Sequence, residues 1–318
     1  MSIKRLTKLL ALSLAVIMCA ASFTACASSE AKYREAFELT EQGDYEAAYA
    51  LFTELGGYKD AKKEAAKFRY AITSYTLDFT DEEGPVTSSS TISYNEHNLP
   101  AQNTITYSDG FQHTCTYTYN ENGKILTVSC VASEGFTASY EHTYSEDGKL
   151  LKIEAEDTDG YYALYEYFYD EKGNQVKVVS EDDGVFITYE ISYDADNRMT
   201  ETIQKDKDGN QILTEEYLYD EKGNLIKHNY FEKDSIFAAS EYTYNELGHL
   251  IKEHYTYTDT YVCDYEYTCD ANGNPITEHI TNTEDYEGTY KYTYKLVYIP
   301  FEYSDEEWED LRDSLLYW

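Results

Sequence analysis

The sequence predicts a mainly β protein: a long, twisted antiparallel meander of about sixteen strands, with a small helical module before it and a helix after it. Turn residues recur at a nearly constant interval, tyrosines alternate between them, and helix-like apolar periodicity is confined to the two ends. The expected parts are a signal segment 1–25, a tether 26–30, a helical module 31–72, a repeat domain 73–303 and a C-terminal helix 304–318.

The composition is acidic and rich in tyrosine. The chain has 25 Lys+Arg against 60 Asp+Glu, a formal net charge of -35, and 36 Tyr against 2 Trp. A surface of this charge repels phosphate, so the sequence argues against nucleic-acid binding. Tyrosine suits pleated, half-buried surfaces, which favours an exposed β protein over a disordered chain.

The N-terminus predicts export. A basic stretch, "MSIKRLTK", precedes the apolar "LLALSLAVIMCAASFTA", which is too short to favour a permanent membrane span. The following "FTAC" resembles the bacterial lipoprotein signal, with Phe23 where Leu is usual, and this implies lipid attachment at Cys26. We therefore expect the protein on the outer face of the bacterial cytoplasmic membrane or at the cell surface, held by lipid. An ordinary secretory signal cut nearby is the alternative.

Four cysteines follow the predicted signal and anchor. Export permits disulfides, but these cysteines form no dense framework and no CxxC pair. Two of them lie six residues apart on one predicted strand, about 20 Å, which is too far for a bond. We expect all four to be mostly free packing residues: Cys115, Cys130, Cys263 and Cys269.

Behind the predicted anchor, apolar residues follow a helical period. Small residues at Ala36 and Ala48 and large ones at Tyr45 and Phe52 resemble the pattern of tetratricopeptide repeats over about one repeat and a half. Gly43 marks a break between two helices, and a Gly-Gly pair at 56–57 ends the second before a third near residue 58. Because arrays that form a peptide groove need three or more repeats, we expect a spacer or packing cap; a docking site is the alternative.

A repeat dominates the remaining chain. Eight marker residues are spaced by 25, 25, 25, 24, 26, 25 and 25 positions, and a tyrosine stands four residues before every marker but the last. The markers are Asn98, Gly123, Gly148, Gly173, Asn197, Gly223, Gly248 and Gly273.

Turn chemistry explains the markers. In "DEKG", Asp220 accepts hydrogen bonds from its own turn and Gly223 supplies positive φ, as in a type I turn closed by a glycine bulge. Asn tolerates the same region of φ. A second turn follows about a dozen residues later, for example "TDG" at 158–160, so each unit holds two strands of about eight residues.

Tyrosines recur at every second position before the first turn. Successive side chains of a strand point to opposite faces, so one face carries columns of Tyr and the other carries mainly acids and Thr, such as Glu166, Glu216, Glu241 and Glu266. Aromatic faces favour glycans and extended protein segments. The candidate binding surface is Tyr165, Tyr167, Tyr189, Tyr217, Tyr242, Tyr265 and Tyr267.

The phrases "YFYDEKGNQVK" at 167–177, "YLYDEKGNLIK" at 217–227 and "YTYNELGHL" at 242–250 resemble the YD repeats of the Rhs family. The resemblance covers about residues 88–294 and implies a strand-turn-strand spiral, which in that family often forms a hollow shell around a toxin. This chain has a longer period, only eight units and no toxin domain, so we expect an open curved sheet. Choline- and glucan-binding wall repeats are a rival resemblance, but they depend on Trp, and both Trp residues lie outside the repeats.

The end of the chain predicts a short helix. Ser304 and Glu307 form a capping box, and Trp308, Leu311 and Leu315 share one face. We expect this face to cover the last edge of the sheet; binding of a partner is the alternative.

We find no sequence pattern for catalysis, a metal or a cofactor. "DKDGN" at 206–210 falls on a turn and lacks the distal Glu of a calcium loop. His254 and His279 share a column about 9.5 Å apart, too far for a simple two-ligand site. The acids recur with the repeat, which indicates a solvated face and no glycosidase dyad.

The leading hypothesis is a non-enzymatic, lipid-anchored surface protein whose Tyr-rich sheet binds glycan or protein partners. One alternative is a scaffold related to toxin shells that assembles with a partner protein. Another is a carbohydrate-active enzyme, which would need a cleft that breaks the repeat.

Overall fold

The structure is a computed structural model, which describes residues 28–81, 84–233, 235–258, 260–284, 286–304, 307–308, 311–312 and 314–315. The predicted signal segment 1–25 and the lipidation residue Cys26 lie outside the described residues. The chain divides into two compact units, Met1–Ala71 with Lys295–Trp308, and Ile72–Tyr294 with Glu309–Trp318. No helix in the described part is both long and apolar enough to cross a membrane.

Residues 28–71 of the first unit form three helices: α1 (28–42), α2 (Tyr45–Leu55) and α3 (Ala61–Ala65). Gly43, at φ 79°, separates the first two, and Asp44 caps α2 by accepting the Ala47 N–H. Phe52 is fully buried among aromatic rings and the small residues of its neighbours. Residues 28–30, which we expected in a tether, are helical. The small N-terminal helical segment is therefore confirmed.

The described sheet has eighteen strands, and each pairs antiparallel with the next. The strands are β1 (Phe68–Asp81), β2 (Gly84–Tyr94), β3 (Pro100–Tyr107), β4 (Gln112–Tyr119), β5 (Ile125–Ala132), β6 (Thr137–Tyr144), β7 (Leu150–Asp157), β8 (Tyr162–Tyr169), β9 (Gln175–Asp182), β10 (Val185–Tyr193), β11 (Met199–Asp206), β12 (Gln211–Tyr219), β13 (Leu225–Glu232), β14 (Ser235–Tyr244), β15 (Leu250–Tyr257), β16 (Tyr261–Cys269), β17 (Pro275–Asn282) and β18 (Glu287–Tyr298). The predicted antiparallel meander is confirmed.

The sheet closes on itself, so the expectation of an open curved sheet is wrong. Strand β1 pairs with β18, and the Thr73 hydroxyl donates to the carbonyl of Thr293 at 3.1 Å. The meander thereby forms a barrel. The expected sixteen strands correspond to the eight hairpins from β2–β3 to β16–β17, and β1 and β18 are additional. Counting turn markers missed these two strands because neither belongs to a hairpin that carries a marker.

The repeat turns have the local geometry that their residues favour. The Asp220 carboxylate accepts the N–H groups of Lys222 and Asn224, each at 2.8 Å, and Gly223 donates its N–H to the Asp220 carbonyl. Gly223 lies at φ 92°, while Asn98 and Asn197 occupy the same position at φ 59° and 67°. The pairing shifts by one residue just before each such turn, for example between Leu218 and Tyr219, which is the bulge that closes the hairpin.

The C-terminal segment differs in role from the prediction. Ser304 and Glu307 exchange the two hydrogen bonds of a capping box, at 2.8 and 3.1 Å. Strand β18 has no free edge to cover, because it pairs with β1. Instead, Leu315 belongs to the buried core of the second unit, together with Tyr117 and Val128.

Two cysteines that we expected to be free are bonded to each other. Cys115 on β4 lies directly opposite Cys130 on β5, and the two form a disulfide. Cys263 and Cys269 are free thiols. The bonded residues lie eight positions before and seven after Gly123, so the hairpin itself places them opposite one another.

Candidate functional site

The seven candidate tyrosines share the inner face of the closed sheet. Cross-strand partners point to the same side, and the partners of Tyr165 on β8 are Ile153 and Ser180. This side carries the buried core of β2–β5. The opposite side carries the recurring acids Glu166, Glu216, Glu241 and Glu266, all exposed. The candidate rings are half-buried and face inward: Tyr165, Tyr167, Tyr189, Tyr217, Tyr242, Tyr265 and Tyr267.

The tyrosine four residues before each marker has a structural role that the sequence analysis missed. In six units its hydroxyl donates to a backbone carbonyl about twenty residues earlier in the chain, as Tyr219 does to Met199 at 2.8 Å and Tyr244 to Leu225 at 2.8 Å. Cys269 replaces the tyrosine in the last unit, and its sulfur lies 3.7 Å from the Leu250 carbonyl. We call these contacts the tyrosine clasps. The further clasp tyrosines with this contact are Tyr94, Tyr119, Tyr169 and Tyr193.

The clasp at Tyr219 gives a direct prediction. Tyr219→Phe removes one hydroxyl and leaves the Met199 carbonyl without that donor, so we expect the free energy of unfolding to fall by about 1 kcal/mol. Urea unfolding followed by circular dichroism measures the change. Tyr162→Phe on the outer face, where the side chain is exposed, is the control. Equal stability of the two variants would show that the clasp contributes nothing.

One part of the inner face is closed by the chain's own C-terminal segment. Tyr75, Tyr117 and Val128 are 4%, 5% and 1% exposed. The Asn103 amide and the Tyr75 hydroxyl both donate to the Leu315 carbonyl, at 2.7 and 3.4 Å. The Tyr117 hydroxyl donates to the neighbouring carbonyl of residue 314 at 3.2 Å. This part of the inner face is therefore buried beneath the C-terminal segment.

Further round the sheet, the inner face combines tyrosines with carboxylates. Glu215 on β12 contacts His228 Nε2 at 3.0 Å and accepts the Tyr217 hydroxyl and the Gln204 amide, both at 2.8 Å. Burial opposes ionisation of Glu215, but these hydrogen bonds outweigh it and hold its pKa below the usual value. The His228 ring lies between the rings of Tyr217 and Tyr230, with centroids 4.2 and 4.1 Å away. The Glu215 carboxylate is thus held in place by three side chains.

Two more inner carboxylates lie on β15 and β17. Glu253 accepts the Ser240 hydroxyl at 2.7 Å, and Glu278 accepts the Tyr292 hydroxyl at 2.8 Å. Burial raises the pKa of Glu278, the negative charge of Glu253 raises it further, and the bond from Tyr292 offsets part of the rise. The surroundings of Glu278 therefore disfavour its ionised form.

The raised pKa of Glu278 predicts that Glu278→Gln is more stable than the wild type, by an amount that depends on pH. A carboxyl whose pKa is raised on folding stabilises the protein when it is protonated, and that contribution is lost as the pH rises through the folded-state pKa. We expect the variant to unfold at a higher temperature than the wild type at about pH 7, and the difference to vanish below about pH 4. Thermal unfolding at several pH values measures this, and a variant less stable at neutral pH would contradict it.

Histidines and cysteines do not form a thiolate metal site in the described residues. The cluster His113, Cys115 and Cys130 brings three ligand atoms close together, but its two sulfurs are joined in the disulfide. On the outer face, His254 contacts Asp264 at 2.7 Å and His279 contacts Thr289 at 3.0 Å. The "DKDGN" segment forms a turn in which Asp206 accepts two backbone N–H groups.

The closed antiparallel sheet, the 25-residue hairpin and the clasped tyrosines define a YD-repeat protein. The family model described as Teneurin YD-shell matches residues 61–301, and the chain therefore belongs to this family. The predicted resemblance to YD repeats is confirmed at this level.

Comparison with solved structures gives distant similarities, whereas no curated protein matches. A porin-like protein from Bacteroides uniformis is 14% identical, with a TM-score of 0.42 over 70% of this chain and 98% of that one. A porin-like protein from Bacteroides vulgatus is 14% identical, with a TM-score of 0.35 over 71% and 99%. TcdB2-TccC3 is 15% identical, with a TM-score of 0.34 over 63% of this chain and 12% of that one.

Proposed function

We propose that this YD-shell protein is an exported, lipid-anchored and non-catalytic protein that binds an extended partner chain, protein or glycan, on the inner face of its sheet. One observation carries the proposal. The inner face is buried where residues 314–315 cover it, whereas its tyrosines from β8 to β16 are half-exposed. Exposed faces of Tyr rings and neighbouring carboxylates suit the binding of a chain more than the packing of a core.

In this function the inner carboxylates are binding groups. Glu215, Glu253 and Glu278 lie on three different strands, and each accepts a hydroxyl from Tyr or Ser. A hydroxyl that donates to a carboxylate orients it and stabilises its charge. This arrangement supports recognition of a ligand at several points along the face.

Two variants of one strand test where the partner binds. Tyr165 faces inward and Tyr162 outward on β8, so Tyr165→Leu and Tyr162→Leu make the same change on opposite faces. The chain from Ala27 onward is screened on a glycan array and in pull-downs from envelope extract. A ligand retained by Tyr162→Leu and lost by Tyr165→Leu supports the proposal. A ligand lost only by Tyr162→Leu, or no ligand in either method, overturns it.

The anchor is tested separately in cells. The "FTAC" segment supports lipid attachment at Cys26, and two or more acyl chains hold a protein firmly because each buried CH₂ contributes about 0.8 kcal/mol. We expect Cys26→Ala to move the protein from the membrane fraction to the medium or soluble fraction, as shown by fractionation and immunoblotting. Cys269→Ala, which leaves the signal unchanged, is the control. A Cys26→Ala protein that stays in the membrane fraction would show that the anchor lies elsewhere.

A further inference from the structure

We infer that the inner face of β12–β17 binds an extended protein segment rich in Lys or Arg; this inference rests on the proposed function and specifies its ligand. Glu253 lies directly opposite Tyr242 on one side and Tyr265 on the other. Glu278 lies opposite Tyr267 and Tyr290, and Glu215 lies opposite Tyr230. Each carboxylate thus has a tyrosine ring beside it on at least one neighbouring strand.

A carboxylate beside a tyrosine ring is a favourable site for a basic side chain. The ring face attracts a Lys or Arg cation, and a carboxylate offers about four acceptor positions. Glu253 accepts hydrogen bonds from the hydroxyls of Ser240 and Tyr242, and Glu278 accepts one from the hydroxyl of Tyr292. The geometry leaves acceptor positions that an ammonium or guanidinium group fits.

The two faces of the sheet differ in their positive charges. Among the described positions of β7–β17 whose side chains point inward, none is Lys or Arg. The lysines of these strands lie on the outer face, where Lys205 pairs with Glu190 at 2.5 Å and Lys227 with Glu241 at 3.0 Å. Among the described inward positions, the carboxylates of Glu253 and Glu278 therefore have no Lys or Arg partner, whereas Glu215 contacts His228.

Enclosure strengthens this attraction. A concave surface lined by one sign of charge, with walls of low dielectric constant, focuses the field and concentrates ligands of the opposite charge. The buried surroundings of Glu278, together with the nearby charge of Glu253, make the ionised carboxylate costly in the free protein. A bound cation offsets that cost.

The positions of the carboxylates also set the spacing of the ligand. Glu215, Glu253 and Glu278 lie on β12, β15 and β17, which are three and then two strands apart. At about 4.8 Å per strand, these separations are roughly 14 and 10 Å. An extended chain that crosses the strands at about 3.3 Å per residue covers them in about four and three residues. The expected ligand therefore carries basic residues at every third or fourth position.

The test uses a fluorescent peptide of about twelve residues with Lys at every third position and Ser and Gly between, and a matched peptide with Gln for Lys. Binding to the chain from Ala27 onward is followed by fluorescence polarisation. We expect the Lys peptide to bind at least about tenfold more tightly than the Gln peptide. We also expect the affinity of the Lys peptide to fall as the NaCl concentration rises from about 0.05 to 0.5 M. Equal binding of the two peptides overturns the inference.

Because the whole chain is acidic, outer-face binding is controlled with matched variants. Glu253→Gln removes an inner charge, and Glu266→Gln removes an exposed outer charge on the adjacent strand. We expect Glu253→Gln to raise the dissociation constant of the Lys peptide about fivefold or more. We expect Glu266→Gln to change this constant less than about twofold. Glu278→Gln, which we predict to be more stable than the wild type, provides a second inner-face variant. Equal effects of inner and outer variants would show that the peptide responds to the overall charge of the protein and not to the inner face, and would overturn the inference.

The outcomes separate the inference from the proposed function. If neither peptide binds while a glycan is captured and lost by Tyr165→Leu, the inference is wrong and the proposed function stands. If no peptide, glycan or envelope protein binds, both are wrong. Selective binding of the Lys peptide with loss in Glu253→Gln supports both.

Discussion

Replacing Leu315 with Ala is expected to lower the free energy of unfolding by about 2–5 kcal/mol, the range for truncation of a large buried aliphatic side chain. Leu315 is 2% exposed and belongs to the same core as Ile105 and Val128. Its backbone carbonyl also accepts hydrogen bonds from Asn103 and Tyr75. A cavity at this side chain weakens the apolar contacts and loosens the acceptor for both donors.

Urea unfolding followed by far-ultraviolet circular dichroism measures the Leu315 effect. Leu247→Ala is the matched control, because Leu247 is 77% exposed in a repeat turn and its truncation is expected to change stability by less than about 0.5 kcal/mol. If Leu315→Ala is as stable as Leu247→Ala, the C-terminal segment does not contribute to the core. A second outcome is expected in Leu315→Ala: greater exposure of the Tyr75 and Tyr117 rings to a fluorescence quencher.

Loss of the Cys115–Cys130 disulfide has the second large expected effect. The bond closes a loop with a sequence separation of 15 residues, and closure of such a loop restricts the unfolded chain by about 3 kcal/mol. The double variant Cys115→Ala/Cys130→Ala is therefore expected to lose about 3 kcal/mol of stability. The loss should occur without a change of fold, since both residues lie in a regular antiparallel pair.

A reducing agent provides an independent check of the disulfide. Reduction should destabilise the wild-type protein by a similar amount and leave the double variant unchanged. Cys263→Ala, at a free buried thiol, controls for the loss of a sulfur atom and should keep the sensitivity to reduction. Wild-type stability that does not respond to reduction would show that the bond is absent in solution or energetically neutral.

The hairpins were predictable because their determinants are local. In the turn at 220–224, Asp220 binds the N–H groups of its own turn and Gly223 adopts the positive φ that other residues disfavour. These interactions involve residues within four positions of one another. The period-two tyrosines likewise share a face because of strand geometry alone, and Tyr165 and Tyr167 point to the same side.

The disulfide and the tyrosine clasps were accessible in principle but were not predicted. The register of the hairpin at Gly123 places Cys115 opposite Cys130, so an explicit alignment of the two strands would have found the pair. The clasp tyrosine recurs at one position of every unit but the last, which signals a shared role. Its acceptor is a carbonyl about twenty residues earlier, and periodicity alone does not identify that atom.

The antiparallel hairpin unit, its period and the alternation of tyrosines with acids follow from the amino-acid sequence, because turn chemistry and pleat geometry act over a few residues. The pairing of β1 with β18 does not follow from any local pattern, because it joins residues 220 positions apart and forms only when the whole sheet closes. Closure also decided which face is enclosed. It placed Tyr165 and Glu253 on the inside and Glu266 on the outside, and it gave Leu315 a core to fill.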